Sequence, residues 1–296
     1  MRVPFAALLL SSFAAFGLAA APALAQSEPS PSVTEKDDIV YTTVDGEPVL
    51  LDAFVPVNSA VKRPAVVLIH AGGWAVGDKT SFVDDARLLS QLGFVVFSLN
   101  YRLAPAHPYP AAVDDVRAAI RWLRQPAQVA AFRIDPKKIG AFGSSSGAHL
   151  AGLLATLSTG SLTKGSRIRV AISWSGPMDF TLESDTYTAV QGTTNVRVFL
   201  GCAPDQDGCL RTEAAASPIS YVDKTDAPMF IANSDAELVP VNQATEMADA
   251  LEKAHVPHQL VVLPGIRHGG AYQPDVWDAT VAFLERYLGK PVAPTG

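Results

Sequence analysis

Short runs of apolar and β-branched residues recur along the chain, bounded by Gly and Pro: Val49 to Val55, Ala65 to His70, Phe94 to Leu99, Lys138 to Phe142, Arg169 to Trp174, Met229 to Ala232 and Gln259 to Leu263. Runs of this length and composition predict strands. Between them, apolar residues return every three or four positions over Asp84 to Leu92, Ala111 to Leu123, Asn242 to Ala254 and Asp275 to Leu288. That spacing puts one apolar stripe on a helix. Strand and helix alternating in this way predict an α/β fold, a mostly parallel sheet of about eight strands covered by helices on both faces. The segment 175–222 is long for a loop and helix-like around Thr188 to Leu200, so it is expected to pack over one end of the sheet as a possible cap or lid.

The first 25 residues follow another pattern. Arg2 precedes an apolar stretch from Val3 to Ala21 and then Ala23-Leu24-Ala25, the small-x-small signature of signal-peptidase cleavage before Gln26. A secreted or periplasmic protein is expected, with no stable membrane insertion after cleavage. Residues 26–38 are rich in Ser, Pro and charge without apolar periodicity and read as a flexible leader. The folded domain is then expected over 39–290, with 291–296 as a tail.

Apolar residues make up 48% of the chain and charged ones 18%, which excludes a disordered or fibrous protein. Without residues 1–25 there remain 22 Lys and Arg against 29 Asp and Glu, a formal net charge of −7. An acidic balance argues against nucleic acid or anionic membrane as partner. Cys202 and Cys209 are separated by turn-forming residues, and in an oxidising compartment a local disulfide is expected. A metal site would need further ligands nearby, which the sequence does not offer.

Ile139-Gly140-Ala141-Phe142 leads into Gly143-Ser144-Ser145-Ser146-Gly147 and then an apolar helix-like run from Ala148 to Ala155. Strand, sharp turn and helix around G-x-S-x-G make a nucleophile elbow, with Ser145 the only serine that satisfies both glycine spacings. The pentapeptide alone arises by chance in many chains; its context and the motifs below give it weight.

Ala65 to His70 ends in Ala71-Gly72-Gly73-Trp74, close to the H-G-G-G turn whose backbone N–H groups stabilise an oxyanion. Gly72 and Gly73, with the N–H of Ser146, are the candidate oxyanion hole. Ala71 replaces the first glycine. His70, at the strand end, and His149, on the elbow helix, are read as structural.

A serine hydroxyl needs a base, and in this arrangement the chain order is serine, acid, histidine. His268, in the loop after the last strand, is the candidate base. His255 and His258 fall before that strand and are read as surface residues, and His107 as a loop residue. Asn233-Ser234-Asp235-Ala236-Glu237-Leu238-Val239-Pro240 offers two carboxylates after one strand. The stretch resembles a G-x-x-D-x-x-V-P motif of related sequences. Counting forward from the strand places Glu237 at its acid position; counting back from Val239-Pro240 places Ala236 there, which cannot serve. Glu237 is therefore the candidate acid, with Asp235 as the alternative.

Together with Gly77-Asp78-Lys79, Asn100-Tyr101-Arg102-Leu103-Ala104-Pro105 and Tyr109-Pro110-Ala111-Ala112-Val113-Asp114-Asp115, these motifs resemble the α/β-hydrolase superfamily. Within it they are similar to bacterial carboxylesterases related to hormone-sensitive lipase and to feruloyl and acetyl-xylan esterases. The resemblance spans about residues 39–289. It implies a serine carboxylesterase that forms an acyl-enzyme on Ser145 and needs no metal or organic cofactor. Its substrate would be a small-molecule or polysaccharide-linked ester, with a feruloyl or acetyl esterase on plant polysaccharide as a narrower form. Arg102 is expected to tie a Pro-rich loop to a helix start through Asp114 or Asp115. A serine exopeptidase shares the fold but is expected to carry a further recognition domain, for which there is no room before Ile39. A non-catalytic binding protein on the same scaffold is expected to lose part of the elbow, the hole or the histidine, all of which are present.

Overall fold

The computed structural model describes residues 33–57, 61–157, 159–181, 190–203 and 206–292. Eight strands form one sheet: β1 (Val33–Val44), β2 (Glu47–Pro56), β3 (Arg63–Ile69), β4 (Val95–Leu99), β5 (Ile134–Ser144), β6 (Val170–Trp174), β7 (Met229–Ser234) and β8 (His258–Leu263). Their order is β1-β2-β4-β3-β5-β6-β7-β8. The β1–β2 and β2–β4 pairs are antiparallel and every later pair is parallel. The sheet expected from the apolar runs is therefore present.

The strands alternate strictly between two cores. On β3, Ala65, Val67 and Ile69 enter one cluster while Val66 and Leu68 enter the other. On β7, Met229 and Ile231 oppose Phe230 and Ala232 in the same way. Helices α1 (Val83–Gln91) and α8 (Gln273–Leu288) close one core, and α2 (Ala111–Leu123), α4 (Ser146–Thr156) and α7 (Val241–Lys253) close the other. A short α3 (Pro126–Ala131) leads into β5. Every residue of α4 is buried, so its sequence is apolar all round rather than striped.

The leader expectation needs correction, because β1 begins at Val33 and residues 33–38 belong to the sheet. Thr34, Glu35 and Lys36 pair by backbone with Val55, Phe54 and Ala53 of β2. They lie on an exposed edge, where charged side chains protect the strand from pairing further and no apolar alternation is required. The Arg87 guanidinium on α1 clasps Glu35 at 2.7 Å. The expected signal, residues 1–25, lies outside the described residues, as do 26–32 and 293–296. No helix among the described residues is long and apolar enough to cross a membrane.

After β6, the chain forms α5 (Val190–Leu200) and α6 (Cys209–Ala216), with residues 182–189 outside the described set. The Cys202–Cys209 disulfide joins the end of α5 to the start of α6. Phe199 stacks on Trp74 at 4.6 Å between ring centroids, and the Tyr109 N–H and hydroxyl donate to Phe199 and Ala215 carbonyls, each at 2.7 Å. The segment is thus anchored to the turn after β3 and to the Pro-rich loop before α2. That loop is itself held by Arg102, which grips Asp115 through its guanidinium and backbone N–H. Of the two carboxylates expected there, Asp115 is the partner.

Candidate active site

The C-terminal ends of β3, β5, β6, β7 and β8 carry the candidate residues. Ser145 follows β5 with φ 54° and ψ −119°, a left-handed conformation that L-residues rarely adopt. The turn closes because its flanking positions lack side chains. A Cβ on Gly143 would lie 2.1 Å from the Gly147 carbonyl oxygen, and one on Gly147 would lie 2.0 Å from that of Ile69. Strand-turn-helix continuity thus forces Ser145 out at the N-terminus of α4, where it is partly exposed between buried Ser144 and Ser146.

The turn after β3 is similarly constrained. Gly72 and Gly73 have φ of 125° and 58°, whereas Ala71 is not among the positive-φ residues, so alanine fits there without strain. A Cβ on Gly72 would strike the Val76 carbonyl at 2.0 Å, and one on Gly73 would lie 2.5 Å from Nδ2 of Asn195 on α5. Among the described residues, no protein acceptor receives the N–H of Gly72, Gly73 or Ser146. Three free donors beside a serine suit a developing oxyanion.

His70 supports this turn. Its Nδ1 meets the Ala71 carbonyl at 2.7 Å, its ring stacks on Tyr101 at 4.2 Å, and burial holds its pKa below the usual imidazole value. His149 is also structural. Trp74 Nε1–H donates to its Nδ1 at 3.2 Å, so its Nε2–H donates to the Ala216 carbonyl at 2.7 Å. Burial pushes its pKa down to about 4 and keeps it neutral. His255 and His258 lie before or at the start of β8, away from the strand C-termini, while His107 is exposed in the loop between β4 and α2 and shares no hydrogen bond or ion pair with the candidate residues.

His268 follows β8, and its Nδ1 is hydrogen-bonded to Oε2 of Glu237, whose side chain is fully buried. Oε1 of Glu237 accepts from Ser175 Oγ at 2.9 Å, from the Tyr272 hydroxyl, and from the Ser234 N–H at 3.3 Å. Burial and the neighbouring Glu237 carboxylate push the Tyr272 phenol up to about 12, so it stays a donor. The alternative acid does other work: Asp235 Oδ1 accepts the Gly265 N–H at 2.8 Å on an exposed loop. The loops after β7 and β8 are tied together by it, through Asp235 N–H to Leu263 and Ala236 N–H to Gly265.

Ser175 and Tyr272 were not legible as site residues. Their signal is positional: Ser175 follows β6 at the same sheet edge as Ser145, and Tyr272 lies one helical turn beyond His268. No group of His, Cys, Asp and Glu able to hold a metal occurs among the described residues.

Comparison with known proteins gives the arrangement a lineage. Residues 51–251 match the family model described as BD-FAE. Esterase LipQ of Mycobacterium tuberculosis is 30% identical over 231 residues, covering 74% of this chain and 53% of that protein. Carboxylesterase NlhH of the same organism is 42% identical over 96 residues, 32% of this chain and 29% of that protein. The chain thus spans about half or less of the length of these curated relatives. Among solved structures, esterase 2 of Thermogutta terrifontis, phosphoramylated by tabun, is 25% identical with a TM-score of 0.70, covering 89% of this chain and 97% of that one. A truncated carbohydrate esterase from gut microbiota is 23% identical with a TM-score of 0.72 over 89% and 99% of the two chains, a likeness of fold. A match running from β2 into α7, on a sheet ordered as this one is, makes the chain a member of the BD-FAE family with the α/β-hydrolase fold.

Proposed function

We propose that the protein is a serine carboxylesterase in which Ser145 is the nucleophile, His268 the base and Glu237 the acid. The observation that carries this reading is the His268–Glu237 pair, held at the same sheet edge as the elbow serine. Glu237 fixes the Nδ1–H tautomer of His268, which leaves Nε2 as a base for the Ser145 hydroxyl. Oγ attacks the ester carbonyl while its proton moves to Nε2, and the buried carboxylate stabilises the imidazolium. The tetrahedral oxyanion receives the N–H groups of Gly72, Gly73 and Ser146. Collapse breaks the C–O bond, and His268 returns the proton to the departing alcohol. Water then attacks the acyl-enzyme with His268 again as base, releasing the acid and restoring Ser145.

The test is turnover of p-nitrophenyl acetate, butyrate and octanoate beside a peptide p-nitroanilide, with wild type and Ser145→Ala. Ester hydrolysis that falls by roughly a thousandfold or more in the variant is expected. Absent ester turnover by wild type, or undiminished turnover by Ser145→Ala, rejects the assignment. Faster cleavage of the anilide than of any ester would favour a peptidase.

Export supports a substrate outside the cytosol. The cleavage-like Ala23-Leu24-Ala25 and the Cys202–Cys209 disulfide both favour it. N-terminal sequencing of protein from the periplasm or medium should read from Gln26; a chain retained in the cytosol and starting at Met1 argues against export.

A further inference from the structure

Two hydroxyls converge on one oxygen of the candidate acid, and each is itself fixed by a backbone donor. Ser175 Oγ accepts the N–H of Gly269 at 2.7 Å, and the Tyr272 hydroxyl accepts the N–H of Ser234 at 2.7 Å. With those N–H groups occupying their lone pairs, both O–H bonds are free to point at Oε1 of Glu237. Oε1 therefore takes two hydroxyl donors and the Ser234 N–H, while Oε2 is left to His268. Each oxygen of the carboxylate is thus committed to a different set of donors, which fixes its orientation.

The connections run between the segments that follow β6, β7 and β8. Gly269 adjoins His268, so Ser175 holds the acid and the backbone of the base at once. Tyr272 stands on the turn that carries His268 and reaches back to the strand end that carries Glu237. Ser175 itself is fully buried, with φ 59° and its N–H on the Ala232 carbonyl, and its Oγ sits between the Gly269 N–H and Oε1 of Glu237. Glutamate is one methylene longer than aspartate and has an extra torsion to fix, which is what such a clamp supplies.

We propose that Ser175 and Tyr272 are positioning residues of the hydrolytic site, holding the Glu237 carboxylate with Oε2 aimed at His268 and thereby setting the proton affinity of the base. This rests on the serine esterase reading given above. The donors on Oε1 draw charge from Oε2; with one removed, Oε2 holds the imidazolium more tightly, and His268 keeps its proton to higher pH. Other charged and titratable groups around the His268 loop are engaged elsewhere. Asp235 holds Gly265 N–H, Arg267 pairs with Asp275, and Asp85 of α1 accepts from Gln273 at 3.4 Å.

The experiment compares wild type, Ser175→Ala and Tyr272→Phe on p-nitrophenyl butyrate across pH 5 to 9. Active sites are counted with a fluorophosphonate, so rates refer to folded, competent enzyme. Per active site, kcat/KM should fall about tenfold to a hundredfold, the range a hydrogen bond to a charged group covers, with KM within about twofold. The acid limb of kcat/KM should move upward in both variants, and the double variant should lose less than the product of the single losses. Variants that match wild type in rate and limb overturn the proposal, as does a uniform loss of rate with the limb unmoved, which is the mark of a merely structural role. Wild type that neither hydrolyses the ester nor takes the label overturns the esterase reading instead.

Discussion

Gly147 lies against Ile69 so closely that a Cβ on it would stand 2.0 Å from the Ile69 carbonyl oxygen and 2.6 Å from that of His70. The elbow and the strand leading to the candidate oxyanion turn are thus in backbone contact, and the second glycine of the pentapeptide is the reason they can be. Neighbouring strands bring them together: Ile69 of β3 is registered with Gly143 of β5.

Gly147→Ala should consequently fail through the backbone rather than through lost chemistry. No side chain can yield, since both clashing atoms belong to the main chain, and a cost above about 4 kcal/mol is expected. Gly160→Ala is the control: its φ of 90° is strained for alanine, but nothing lies within 4 Å, and about 1 kcal/mol is expected there. Denaturant melts of the two variants check this. Equal destabilisation by both would mean that the close approach carries no energetic weight.

Much of the sheet was legible because buried strands must be apolar on both faces. Parallel strands β3 to β7 are covered by helices on either side and so read as continuous apolar runs. β1 was not legible for the converse reason: its first half lies exposed at the edge and is held by backbone pairing, which leaves no side-chain signature. At the candidate site, Gly72, Gly73, Ser145 and His268 could be put forward from sequence because tight turns and chain order restrict residue type. Glu237 was favoured over Asp235 only by its count from the strand, since two carboxylates two residues apart in a loop differ chiefly in where the loop points them. Ser175 and Tyr272 were invisible because their role arises from contacts across 62 and 35 positions of sequence.

The acid assignment makes opposed demands on the two carboxylates. Glu237→Gln keeps size and most donors' partners but loses the charge that holds the imidazolium, and a fall of roughly a thousandfold to ten-thousandfold in kcat is expected. Asp235→Asn keeps an acceptor for Gly265 N–H, and activity should remain within about threefold. Steady-state kinetics on one chromogenic ester decide it. A large loss in Asp235→Asn with a small one in Glu237→Gln would reverse the roles.

His149 gives the fold a pH dependence that is independent of catalysis. Its pKa is about 4 in the folded protein against 6.5 for an unperturbed imidazole, so between these values the unfolded chain binds the extra proton. The stabilisation is fully present above pH 6.5 and is lost as pH falls toward 4, by an amount on the order of 3 kcal/mol. Asp85 and Asp226 run the other way: burial raises each from 3.8 to about 6, so their neutral forms favour the folded state below pH 4 and that contribution fades as pH rises through 6. The wild-type curve is the sum of these slopes, and only a difference isolates the histidine. His149→Gln can keep a donor toward the Ala216 carbonyl and an acceptor for Trp74 without titrating. Urea melts from pH 4 to 7 should show wild type losing stability relative to this variant on acidification, even where the variant is less stable at pH 7. Parallel curves would place the proton elsewhere and show that the buried imidazole does not couple folding to pH.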